Sequence, residues 1–233
     1  MGLFAFLKPK NIDRQAVDKI ARLDPKSSLD EIEKVVYEFL KPLGFMKKGR
    51  TFNRVIEKGL VQVINFQSGQ YPVGNYEIPG LKDNLYGKFT VNLGVCIENL
   101  YRFQWPDKKN TFYKEYDCQI RERLEPLMHG VDQWWPLTKD LDKTANEIIQ
   151  GLSTVGFQWF DGINTIDKII EKNGTGIYDT SPRAKLDVAL VVWFADKQKG
   201  TKLFKQYLDN IADDKTKHRE YVEQLGRDNG IIN

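Results

Sequence analysis

The sequence predicts an α+β protein: an antiparallel β-meander of about four strands, backed by N-terminal helices and followed by a helical C-terminal part. Three observations predict it. The hydrophobic period is helical up to Leu40, alternating between Thr51 and Glu98, and helical again from Leu137 onward. Two strand-like runs, Thr51 to Glu57 and Leu60 to Gln67, are joined by Lys58-Gly59, the mark of a tight hairpin. Lys88 to Glu98 alternates cleanly, with Phe89, Val91, Leu93, Val95 and Ile97 on one face and Thr90, Asn92, Gly94 and Cys96 on the other.

A first helix is expected from about Asp13 to Leu23, ended by Asp24-Pro25. Ser28 is expected to cap a second helix, with Glu31 closing a capping box. Leu29, Ile32, Val35, Val36, Phe39 and Leu40 form a wide apolar stripe on it, and Pro42 and Gly44 stop it. A fourth strand is expected from Cys118 to Leu124. The C-terminal helices are expected near 138–155 and 162–172, from 181 onward, and near 201–212 and 215–227. Ser181 and Pro182 open the third of these, whose centre, Val188 to Phe194, is apolar nearly all round. The chain thus divides into an amphipathic segment (1–12), an α+β domain (13–136) and a helical region (137–233).

Of 233 residues, 41% are hydrophobic and 12% aromatic, enough to build a sizeable core. The charge is nearly balanced, 35 basic against 32 acidic side chains, which argues against a dedicated nucleic-acid binder. No apolar run approaches the roughly 20 residues that span a bilayer, so no transmembrane segment is expected. The first residues place their apolar patch before their lysines, the reverse of a secretory signal, and a cytoplasmic protein is expected. Cys96 and Cys118 fit no paired-cysteine motif and read as reduced, buried thiols.

Chemistry-bearing motifs are scarce. There is no nucleophile elbow, phosphate-binding loop, dinucleotide fingerprint or zinc-protease motif. The histidines are His129, read as a strand-to-loop exit, and His218, read as part of a charged helix. A zinc site on histidine and cysteine would need three ligands from four scattered candidates. No catalytic residue, metal site or cofactor is therefore assigned.

The runs Leu43-Gly44-Phe45-Met46-Lys47-Lys48-Gly49-Arg50-Thr51-Phe52-Asn53-Arg54, Val61-Gln62-Val63-Ile64-Asn65-Phe66-Gln67 and Phe89-Thr90-Val91-Asn92-Leu93-Gly94-Val95 carry a resemblance. With Trp134-Trp135 after the last strand, they are similar to the bacterial domain of unknown function DUF4304, over about residues 28 to 160. The resemblance brings no activity, substrate or catalytic residue with it.

Three features are candidates for binding. The long loop from Ser68 to Gly87 holds Tyr71, Tyr76 and Tyr86, and tyrosine offers contact area at low entropic cost. Arg54, Gln62, Asn65, Gln67, Thr90, Asn92 and Arg121 are polar residues on or near strands, and several are expected to converge on one sheet face. Trp134 and Trp135 are adjacent, so one ring is expected inside and the other outside. The leading expectation is a non-enzymatic module that binds another protein, with an immunity-type role as one version. The alternative is a sensor or enzyme for a small polar or anionic ligand held by Arg54 or Arg121.

Overall fold

The computed structural model describes residues 24–57, 59–69, 85–137, 140–172 and 182–233. The expected amphipathic segment and first helix, Tyr71, Tyr76 and the Ser181 cap lie outside these residues.

Pro25 opens the second expected helix, three residues before the expected cap Ser28. In α1 (Pro25–Leu40) the proline stands in the first turn, where its missing N–H costs nothing, and Asp24 accepts a hydrogen bond from the Ser27 amide at 3.1 Å. The expected cap, Ser28, is instead a buried residue of the helix. Leu29, Ile32, Val36 and Leu40 form the buried stripe.

The sheet has six strands rather than about four: β1 (Met46–Lys48), β2 (Thr51–Glu57), β3 (Leu60–Ser68), β4 (Lys88–Ile97), β5 (Ile120–Arg123) and β6 (Trp135–Pro136). The first five lie in sequence order, every pairing is antiparallel, and β5 and β6 share the second edge of β4. Gly59 takes φ +88° in the expected hairpin turn, a conformation that suits glycine. A bulge between Val55 and Glu57 follows on β2.

Two short helices were not expected, α2 (Glu98–Gln104) and α3 (Leu124–His129). The remaining helices are α4 (Leu141–Gly151), extended by a π-helical turn (Leu152–Gly156), α5 (Phe157–Asp161), α6 (Ile166–Glu171), α7 (Pro182–Ala195), α8 (Lys197–Asp209) and α9 (Thr216–Asp228). One hydrophobic cluster joins α1, the inner face of the sheet and buried residues of α4 through α9. An aromatic row runs across the inner face, from Tyr37 through Phe52, Phe66 and Phe89 to Trp135, with neighbouring ring centroids 5.7–6.0 Å apart.

Two basic residues near the start of the sheet, Lys47 and Arg50, are tied down beside this core. Glu33, buried on α1, meets Lys47 Nζ at 3.0 Å and Arg50 Nε at 3.2 Å. Burial pushes its carboxyl above the usual 4.5, while Lys47 and Arg50 pull the other way. The folded protein therefore holds this proton more tightly than the unfolded chain does. Stability contributed here falls as pH rises from about 4.5 through the raised folded pKa. Glu33→Gln keeps the shape and never ionises, so its melting temperature should gain on the wild type as pH rises across that range. A melting-temperature difference that stays flat with pH would contradict this.

Candidate functional site: an acidic cleft on the open face of the sheet

Strand register decides which polar residues meet. Asn65 pairs with Asn92, Gly94 with Arg121 and Asn92 with Arg123, so these side chains share the face opposite the aromatic row. Asn92 donates to Gln67 Oε1 at 2.9 Å, and Asn65 donates to Thr51 Oγ1 at 3.0 Å and to the Arg50 carbonyl at 3.1 Å. Thr90 is buried on the same face.

Arg54 and Gln62 do not belong to that face. They pair directly across β2 and β3 on the inner side, in phase with Phe52 and Ile64. Arg54 donates to Gln62 Oε1 through Nε (2.9 Å) and Nη2 (2.6 Å), and to the Leu43 carbonyl at 3.2 Å. Its guanidinium lies 4.6 Å from the Phe45 ring centroid and 5.5 Å from that of Phe157. These contacts hold the guanidinium between strand and helix.

The chain between Glu98 and Gln119 folds back over part of the open face. It buries a second small core of Val61, Val63, Cys96, Tyr101, Tyr113 and Cys118. Both cysteines are free, and burial pushes both thiols up, which keeps them protonated and unreactive. Asn53 fastens this roof: its amide donates to the Tyr113 carbonyl at 2.9 Å and its carbonyl accepts from the Tyr113 amide at 2.7 Å. Tyr113 in turn donates through its hydroxyl to Glu98 at 2.7 Å.

Where the roof stops, a cleft of about 750 Å³ opens. Gln67 and Asn92 line it from the sheet, and Trp105 and Tyr116 line it from the roof. Both rings are exposed, 48% and 73% respectively. Glu115, Asp117, Asp132 and Asp187 bring four carboxylates and Arg121 and Arg123 two guanidiniums, while Glu122, opposite Leu93, starts from the other face of β5. Arg121 is paired with Glu115 at 3.4 Å and Arg123 with Asp132. Asp187 accepts from Gln104 at 3.0 Å. Setting Asp187 aside, three carboxylates still face two guanidiniums, in a chain whose formal net charge is +3.

Of the sequence candidates, Gln67, Asn92 and Arg121 meet in this cleft, and Asn65 stands beside them on the sheet. Trp135 is buried at the end of the aromatic row, while Trp134 is half-buried with Arg123 5.7 Å from its ring. Tyr86 is exposed next to a bridge between Gly69 and Tyr86. Sequence reasoning missed Trp105, Tyr116 and the acidic lining, because no local period marks the segment between α2 and β5. Among the described residues, one set of ligand-capable side chains converges, Glu125, His129 and Glu147.

Fold and site together define a helix-backed antiparallel sheet with a charged, aromatic-rimmed cleft on its open face. The chain belongs to the DUF4304 family, a domain of unknown function, whose model matches residues 36–162, more than half of its length. No curated protein and no solved structure matches it. Among the described residues, no helix is long and apolar enough to cross a membrane.

Proposed function

We propose that this protein is a non-catalytic binding module whose open-face cleft receives a basic segment of a partner protein. The observation that carries the reading is the excess of carboxylate over guanidinium in a cleft rimmed by exposed Trp105 and Tyr116. Carboxylates attract and orient lysine and arginine, and aromatic faces accept the same cations. Lys108 already places its ammonium 4.2 Å from the Trp105 ring centroid, a position that a partner's cation could take over. Tryptophan and tyrosine are also the side chains that most often dominate binding energy at protein interfaces. A small anion is the weaker fit, since both cleft guanidiniums are engaged by carboxylates. An immunity-type role, with the cleft masking a basic surface, is one form of this reading and rests on fold-level analogy.

Fluorescence anisotropy with labelled octapeptides tests it. A Lys/Arg-rich peptide should bind with a Kd on the order of micromolar, weakening about tenfold or more as salt rises from low to high. A Glu-rich peptide of equal length should not bind. Equal affinity for both peptides, or none for either, would overturn the proposal.

A further inference from the structure

Glu125 and His129 stand at i and i+4 on α3, so both side chains leave one face of the helix. Glu147 reaches the same point from α4. Gly151 permits the approach: a Cβ there would lie 2.3 Å from Met128 Sδ, while Gly156 sits in ordinary contact range of Leu124. Helix α3 therefore rests closely on α4 and the π turn that follows it. Gly151 is one turn beyond Glu147, which places the closest contact beside that carboxylate. π turns of this kind occur often at functional sites.

The ligand-capable atoms of Glu125, His129 and Glu147 all lie within 4.8 Å of one another. The Glu125 side chain is only 7% exposed, and its Oε2 is buried without a hydrogen-bond partner. That same oxygen faces His129 Nε2 at 3.8 Å, too far for a hydrogen bond. A buried, unpartnered carboxylate oxygen is costly, and an ion among these three groups would satisfy it. We propose that Glu125, His129 and Glu147 form a binding site for a divalent transition-metal ion. Two carboxylates and an imidazole suit zinc, manganese or ferrous iron, and three protein ligands leave a coordination position for water. His129 is half-exposed, which gives the ion a way in. Burial, with Glu147 and Asp132 adding to it, pushes the Glu125 carboxyl upward, and His129 opposes the shift. A cation at this point would relieve both effects. The site is independent of the binding reading above, since none of its three ligands lines the cleft.

The test is calorimetric titration of the full chain, free of affinity tag and stripped of metal, with zinc chloride. Wild type should take up one equivalent. His129→Asn and Glu147→Gln should each bind about tenfold more weakly or worse, and the double variant not at all. Both positions are partly exposed, and circular dichroism checks that each variant is folded. X-ray absorption at the zinc edge should show nitrogen and oxygen neighbours with no sulfur, which separates this site from Cys96 and Cys118. No uptake by the wild type, uptake unchanged in the double variant, or sulfur in the coordination shell would each overturn the proposal.

Discussion

Phe66→Ala is expected to cost about 3–5 kcal/mol of folding stability, the range for deleting a buried aromatic ring. Phe66 is 1% exposed, on the inner face of β3 at the centre of the aromatic row. Its ring meets Phe52 edge-on at 5.7 Å and stacks on Phe89 at 6.0 Å. Removing it takes away its own burial and separates two halves of the row, neither of which can collapse into the gap without bending the sheet. Urea unfolding measures the loss, and Phe66→Leu, which refills most of the volume, should recover a large part of it. A cost below about 1 kcal/mol for Phe66→Ala would show that the row is not the keystone of the inner core.

Asn53→Ala is expected to cost about 2–4 kcal/mol, because it strips a buried amide and a buried carbonyl of Tyr113 of their partners at once. The effect reaches beyond stability. Asn53 holds the roof on which Trp105 and Tyr116 stand, so the same change should also weaken capture of a basic peptide. Asn53→Asp keeps an acceptor for the Tyr113 amide but sets a carboxylate oxygen against the Tyr113 carbonyl, and should recover only part of either loss. If the alanine variant is as stable as the wild type, the Asn53 bonds are not what anchors the roof.

The strands were legible because alternation over Thr51 to Glu98 is a local signal, and a single buried face fixes the phase of each strand. The phase was misread where residue type outranked parity. Arg54 and Gln62 are polar, which groups them with the polar face, yet they stand in step with Phe52 and Ile64 and point inward, where the guanidinium donates twice to Gln62 Oε1. Pro25 stands in the first turn of α1 with Asp24 as its cap, three residues before Ser28, because proline's missing N–H costs nothing at a helix start. Helices α2 and α3 are too short to show a period, and Pro126, inside the first turn of α3, reads in sequence like a strand terminator. The cleft was legible only in its floor, Gln67, Asn92 and Arg121. Its rim depends on a roof held by a bond between residues 60 positions apart, Asn53 and Tyr113, and no local pattern announces such a bond. The convergence of Glu147 on Glu125 and His129 is likewise a product of helix packing, at Gly151.

The central claim is that the aromatic-rimmed acidic cleft captures a basic protein segment, and the affinity of a Trp105→Ala/Tyr116→Ala variant for the Lys/Arg-rich peptide tests it most directly. Both side chains are exposed, so the fold should survive their loss. Tyr221→Ala serves as control, since it removes an equally exposed ring on α9, away from the cleft. The account predicts that the double variant binds at least about tenfold more weakly, with unfolding unchanged, while the control binds like the wild type. Equal affinity in all three proteins would contradict it.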